Sequence, residues 1–128
     1  MKYVYPAIFY NAIEGGYYVI FPDVEGAMTQ ADTLYTAMEY AEEVLSDILV
    51  SYEDFKAGKY HKDPEGNEIK VMNNRIVEPT PIEKVVPEIN EYSTSAFVTL
   101  IKADTDAYRK ILAELDKKRN ENAETGAA

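Results

Sequence analysis

The chain has 128 residues, enough for one domain that can bury a hydrophobic core without disulfide or metal support. It contains no cysteine, which excludes a disulfide framework and a thiolate zinc site. Residues 102–128 balance six basic against six acidic side chains, so residues 1–101, with 17 acidic and seven basic, carry the whole net charge of −10. Such a surface repels nucleic-acid phosphates and attracts basic proteins.

The first third of the chain carries the pattern of an antiparallel meander. Lys2 to Tyr10 and Tyr17 to Phe21 are rich in β-forming residues, and the turn-forming stretch Asn11 to Gly16 joins them. Ala27 to Gln30 follows a second turn and predicts a third strand. Pro6 lacks a backbone donor, which predicts an edge position or a bulge for the first strand.

A long helix is predicted after the meander. Apolar residues recur at spacings of three and four from Leu34 to Tyr52, which is typical of a helix that buries one face. The hydroxyl of Thr33 can cap the first free amides, and Gly58 is a suitable stop. The other face is acidic, and we expect it to contact a partner through Glu39, Glu42, Glu43 and Asp47.

Residues 55–78 have the composition of an inserted arm. A turn-rich loop with Pro64 and Gly66 leads into two short β-prone pieces around Asn73 and Asn74, which predict a small hairpin. Residues 78–87 contain three prolines and should form an extended connector.

A further strand and a short terminal helix complete the predicted α+β fold. Ala96 to Lys102 predicts the strand, and Asp104 or Thr105 can cap the helix. We therefore divide the chain into an α+β domain, residues 1–103, and a helix with a frayed tail, residues 104–128. Self-association is predicted on this last strand and helix, through Phe97, Thr99, Ile101 and Tyr108.

Candidate catalytic and metal-binding residues are few. The only histidine, His61, falls in a charged loop, and no nucleotide or cofactor motif is present, so no cofactor is expected. Asp23, Glu25 and Asp32 lie close in sequence and could hold magnesium as nuclease carboxylates do, but turn formation already accounts for acids there. The residues favour a binding protein over an enzyme, with a residual metal-dependent nuclease as the alternative.

The stretch from Gly15 to Thr33, with the helix that follows it, resembles the HicB-like antitoxin family of type II toxin–antitoxin systems. The family pattern is a Gly-Gly-Tyr hairpin, Phe-Pro-Asp, a glycine, Thr-Gln-Gly-Asp-Thr and a helix with spaced alanines. Each matching position also has a folding role, in a turn, a strand end or a helix cap, so the motif is structural. The matching residues are Gly15, Gly16, Tyr17, Phe21, Pro22, Asp23, Gly26, Thr29, Gln30, Asp32, Thr33, Ala37 and Ala41.

The resemblance implies a partial ribonuclease-H-like fold and a protein that masks a small basic HicA-like toxin, which cleaves messenger RNA. Family members commonly carry a C-terminal DNA-binding unit, and a transcriptional autoregulator is therefore a further alternative. We do not expect this chain alone to bind operator DNA, because residues 104–128 do not suffice for two helices and a turn. We expect a cytoplasmic homodimer or higher homo-oligomer without a membrane span.

Overall fold

The computed structural model describes residues 1–59, 61–62, 64–69 and 74–124. It has an α+β fold, in which a long helix packs on one face of a four-stranded antiparallel sheet and a second helix packs beside the first. In chain order the elements are β1 (Lys2–Ala12), β2 (Tyr17–Ile20), β3 (Met28–Ala31), α1 (Leu34–Lys56), β4 (His61–Lys62), β5 (Glu68–Ile69), a 3-10 helix (Ile82–Lys84), β6 (Ser93–Asp104) and α2 (Thr105–Glu124).

The four strands of the main sheet follow the order β3-β2-β1-β6, which confirms the predicted meander and the further strand. β6 pairs antiparallel with β1 along nearly its whole length, from Lys2 opposite Asp104 to Ala12 opposite Ser93. This pairing makes β6 longer at both ends than the predicted strand, residues 96–102, because Ser93, Ser95, Ala103 and Asp104 gain partners on β1, while a register shift leaves Thr94 without one.

The position of Pro6 corrects one prediction. β1 is a central strand, flanked by β2 and β6, and not an edge strand. The ladder between β1 and β2 extends only from Asn11 opposite Tyr17 to Ile8 opposite Ile20. The even-numbered residues of β1, including Pro6, direct their backbone N–H and C=O positions toward β2. At Pro6, however, β2 has already ended. A central strand therefore accommodates this proline without losing a ladder hydrogen bond.

Alternation along the strands sends one set of side chains toward α1 and the other toward the opposite face. The odd-numbered residues of β1 meet the apolar stripe of α1, and this contact is the centre of the core. The residues of the core are Tyr5, Ala7, Phe9, Val19, Phe21, Val24, Ala27, Ala37, Ala41, Leu45, Leu49, Ile101 and Ala103.

Both helices have identifiable starts. The side chain of Thr33 accepts a hydrogen bond from the backbone N–H of Thr36 at 3.2 Å, and the Oδ1 atom of Asp104 accepts one from the N–H of Ala107 at 3.1 Å. The pKa of Asp104 is lowered first by this hydrogen bond. Neither described helix is long and apolar enough to cross a membrane.

The predicted terminal helix is present, but it is longer than expected. α2 contains 20 residues and continues well past Leu115, where its apolar stripe ends. The residues after Leu115 include Lys117, Lys118, Arg119 and Glu121, which are exposed and have high helix propensity. The high helix propensity of these residues therefore extends α2 beyond the end of its apolar stripe.

The inserted arm contains a two-stranded hairpin, in which β4 pairs with β5 and His61 lies opposite Ile69. The turn predicted at Asn73 and Asn74 falls partly outside the described residues. Asn73 is outside the described residues, whereas the side-chain amide of Asn74 donates to the backbone carbonyl of Glu25 at 2.8 Å. Asn74 therefore fastens the returning chain to the turn before β3.

The glycines of the β1–β2 turn differ in how much room they have. Gly15 and Gly16 both have positive φ angles, of 99° and 78°, but only at Gly16 would a Cβ atom approach another segment, 2.8 Å from the carbonyl oxygen of Ala31. Replacing either glycine by alanine should cost about 1–2 kcal/mol of unfolding free energy through the backbone angle. We expect Gly16→Ala to lose clearly more than Gly15→Ala in urea unfolding, and equal losses would contradict the predicted clash.

Candidate partner-binding groove

The side chain of Glu53 joins three elements of the fold. Its Oε2 atom accepts hydrogen bonds from the hydroxyl of Tyr3 in β1 at 2.7 Å and from the hydroxyl of Thr105 in α2 at 2.8 Å. Its Oε1 atom accepts a hydrogen bond from Nη2 of Arg109 at 3.1 Å. The start of α2 is thereby fixed against both α1 and the sheet.

Arg109 strengthens the same junction. Its Nη2 atom also lies 3.0 Å from Oδ1 of Asp54 and donates to the backbone carbonyl of Val50 at 3.3 Å. The hydrogen bond to Glu53 is the main cause that raises the pKa of Arg109. Burial raises the pKa of Glu53, but hydrogen bonds from Tyr3, Thr105 and Arg109 outweigh it and hold that pKa below its usual value.

An open groove lies between the first half of α1 and the first half of α2. It is also lined by three residues at the start of β1, Lys2, Tyr3 and Val4, and by three at the end of β6, Lys102, Ala103 and Asp104. The wall from α1 consists of Glu39, Glu42, Glu43 and Ser46, and the wall from α2 consists of Ala107, Tyr108, Ile111, Leu112 and Leu115.

The two walls of this groove have different chemistry. The α2 wall is apolar and accessible, with Ile111 and Leu115 exposed to 55% and 53%. The hydroxyl of Tyr108 lies 3.4 Å from Oδ1 of Asp47, and burial together with the charges of Asp47 and Glu43 raises the pKa of Tyr108 to about 12. The tyrosine therefore remains a neutral hydrogen-bond donor at physiological pH, between a carboxylate surface and an apolar one.

Comparisons with solved structures show which fold this is. A chain of a toxin–antitoxin complex from Streptococcus pneumoniae matches with a TM-score of 0.57 and 18% identity, over 84% of this chain and 73% of that chain. A chain of the HicA3 and HicB3 toxin–antitoxin complex matches with a TM-score of 0.51 and 15% identity, over 80% and 99%. The fold is one found in toxin–antitoxin complexes. No protein-family model matches the chain, and no curated protein matches it.

Within this toxin–antitoxin fold, the four acids predicted to bind a partner lie near the groove. Glu39, Glu42 and Glu43 line it directly. Asp47 lies one turn further along α1, beside Tyr108 and in a neighbouring depression with Thr29. Sequence reasoning missed the role of α2 as the apolar wall, although its stripe was visible, because nothing in the stripe tells which of its residues stay exposed.

The motif residues from Gly15 to Thr33 lie in the scaffold. The first two glycines close the β1–β2 turn, and the segment from Phe21 to Gly26 turns the chain into β3, with the N–H of Phe21 donating to the carbonyl of Ala27 at 3.1 Å. Thr29 and Gln30 belong to β3. Tyr17 begins β2, and Asp32 precedes the cap at Thr33.

The three acids proposed for a nuclease site differ in their contacts and in their places in the fold. Asp23 is buried, and its carboxylate accepts from the N–H of Thr80 at 2.8 Å and from the hydroxyl of Thr80 at 2.7 Å. The carboxylate of Glu25 accepts from the N–H of Arg75 at 3.2 Å. Asp32 precedes the N-cap residue Thr33 of α1. No group of three potential metal ligands occurs within the described ranges of the chain.

Of the four residues predicted for self-association, Ile101 is buried, Thr99 and Tyr108 are half-buried, and Phe97 is exposed. Ile101 is buried in the core, and the ring of Phe97 stacks on Phe9 with 5.1 Å between centroids. Thr99 belongs to the same alternating set of β6, and Tyr108 lines the groove. Both alternating sets of β6 therefore reach the surface, since Phe97 is 38% exposed and Leu100, of the other set, is 51% exposed.

The Glu53 junction predicts a pH-dependent stability difference. Glu53→Gln should lower the unfolding free energy at pH 7 by about 1–3 kcal/mol, because charge-assisted hydrogen bonds are lost. The folded-state pKa of Glu53 is lowered, so its contribution is full above the usual carboxyl pKa and is lost as pH falls through the folded value. The difference in unfolding free energy between wild type and variant, measured by urea unfolding, should therefore decrease toward about pH 3.

The matched control for this measurement is Glu88→Gln, which removes one exposed carboxylate that lines no part of the groove. It should leave the unfolding free energy nearly unchanged at both pH values. If the loss of unfolding free energy in Glu53→Gln is the same at neutral and acidic pH, the charge of the Glu53 carboxylate does not stabilise this junction.

Proposed function

We propose that this chain is a HicB-like antitoxin, which neutralises a small basic HicA-like toxin by covering it and has no catalytic role of its own. The observation that carries the proposal is the groove in which the acids of α1 face the exposed apolar stripe of α2. The motif from Gly15 to Thr33 and the likeness in fold to chains of toxin–antitoxin complexes support it.

The chemistry of the groove suits a basic partner with an apolar anchor. Lysine or arginine side chains would meet Glu39, Glu42 and Glu43, and a neighbouring apolar side chain would cover Ile111 and Leu115. Full burial of such aliphatic side chains is worth about 1.5–3 kcal/mol each. Exposed ion pairs add little affinity, but they steer association and reject acidic partners. Apolar contact therefore provides affinity, and the acids provide selectivity.

Removing charge from the groove tests the contribution of the acids. We expect the triple variant Glu39→Gln/Glu42→Gln/Glu43→Gln to weaken binding of the protein encoded by the adjacent reading frame by about tenfold, measured by calorimetry at low salt. The salt dependence of binding should fall as well, because fewer charges are paired. The control Glu83→Gln/Glu88→Gln/Glu91→Gln makes the same change of net charge at exposed residues outside the groove.

The apolar wall is tested by Ile111→Ser/Leu115→Ser. This variant should also weaken binding, but its salt dependence should match that of the wild type because no charge is removed. A basic neighbouring protein that does not bind, or binding that is indifferent to both groove variants, would count against the proposal.

The absence of catalysis is part of the proposal and has its own test. Purified chain incubated with RNA and magnesium should leave the RNA intact, because Asp23 and Glu25 are engaged in holding the segment at residues 75–80. Magnesium-dependent cleavage that disappears in Asp23→Asn would instead favour the nuclease alternative.

A further inference from the structure

The two helices that wall the groove run in opposite directions. The hydroxyl of Thr105 donates to the carboxylate of Glu53 at 2.8 Å. Further along α2, the hydroxyl of Tyr108 lies 3.4 Å from Asp47, which comes earlier in α1 than Glu53 does. α2 is therefore antiparallel to α1, and as it continues toward Leu115 it passes acids that lie progressively nearer the start of α1.

Each wall repeats its chemistry about once per helical turn. On α1 the acids Glu39 and Glu43 are four residues apart, and on α2 the side chains of Tyr108, Ile111 and Leu115 follow one another at spacings of three and four. Side chains at such spacings lie about 5–6 Å apart along a helix. A ligand matches both walls when it presents a basic row and an apolar row with this same repeat.

The backbone of the occupant also needs hydrogen-bond partners. α1 and α2 are helices through the whole length of the groove, so their N–H and C=O groups are paired within each helix. The walls therefore offer no row of free backbone groups to an extended strand. Against the apolar wall, an extended strand would bury polar backbone groups without partners, whereas a helix pairs its own backbone and presents only side chains.

The size of the groove suits one short helix. Its volume is about 830 Å³. Two turns of a helix about 10 Å across occupy about 850 Å³. The wall from Ala107 to Leu115 spans eight residue steps, which is about 12 Å and slightly more than two turns.

We infer that the groove binds an amphipathic helix of a basic partner. A row of lysine or arginine side chains would face Glu39, Glu42 and Glu43, and an adjacent row of aliphatic side chains would cover Ile111 and Leu115. Consecutive residues of a helix point about 100° apart, so a basic residue followed by an aliphatic one at each turn supplies both rows. The inference rests on the proposed function for the identity of the partner, but the preference of the groove for a helix is measurable without that protein.

Designed peptides test the conformation of the occupant. The first, of about 15 residues, carries lysine and leucine in adjacent rows at helical spacing. The second has a proline in the middle of the same sequence, and the third has the same composition with the two rows on opposite sides of the helix. Fluorescence anisotropy should show binding of the first peptide and at least about tenfold weaker binding of the others, because proline breaks the helix and opposed rows cannot meet both walls.

Variants of the chain test where the first peptide binds. Its affinity should fall about tenfold for the variant in which the three groove glutamates are glutamine, and also for Ile111→Ser/Leu115→Ser. The control Glu83→Gln/Glu88→Gln/Glu91→Gln should bind it like the wild type. Equal affinity for the proline peptide would overturn the helical occupant, and equal affinity for wild type and groove variants would overturn the groove as its site.

Crosslinking tests the same inference in the complex with the protein encoded by the adjacent reading frame. The chain has no cysteine, so Ala107→Cys or Leu115→Cys places a single short photoreactive group at either end of the α2 wall. A helix along the wall should be labelled at two positions about seven or eight residues apart, and a strand at positions about three or four apart. The control Ala113→Cys, exposed on α2 but outside the groove, should not label the partner.

The outcomes separate this inference from the proposed function. A neighbouring protein that binds but is labelled at strand spacing, or from neither end of the wall, would overturn the helical occupant and leave the toxin partner in place. If the neighbour does not bind while the helical peptide does, the proposed function fails and the specificity of the groove for a basic amphipathic helix stands.

Discussion

The hydrogen bonds that converge on Glu53 decide where the second helix lies. The carboxylate of Glu53, in α1, accepts hydrogen bonds from Tyr3 of β1 and from Thr105 and Arg109 of α2. A partly buried carboxylate is stable in its charged form when it is hydrogen-bonded in this way. Because this junction fixes only the start of α2, the apolar stripe beyond it remains available, and the groove with the acids of α1 is the consequence.

The sheet provides a second surface by a different route. α1 covers one face, and β1 is hydrogen-bonded on both sides, so the edges of the sheet are the outer sides of β3 and β6, of which β6 is the longer strand. The groove combines charge with apolar contact, whereas the edge offers backbone groups and uncharged side chains. The chemistry of the groove complements basic side chains, whereas that of the edge complements an extended strand.

The motif that resembles the HicB-like family contributes to both surfaces indirectly. Its glycines close the β1–β2 turn, its Asp23 holds the returning chain at Thr80, and its Thr33 starts α1 in the orientation that presents the acids. The likeness to chains of toxin–antitoxin complexes is consistent with these roles, since it is a likeness in fold. The motif residues are therefore accounted for by their folding roles.

The sequence by itself determined the features that depend on neighbouring residues. The stripe from Leu34 to Tyr52 and the cap at Thr33 defined α1, because periodicity and capping are local. Only the tertiary structure decided that Pro6 lies in a central strand, that Ile101 is buried, and that α2 forms a wall of the groove. These outcomes depend on pairing between β1 and β6, about 90 residues apart, and no local pattern specifies which distant strand a given strand will meet.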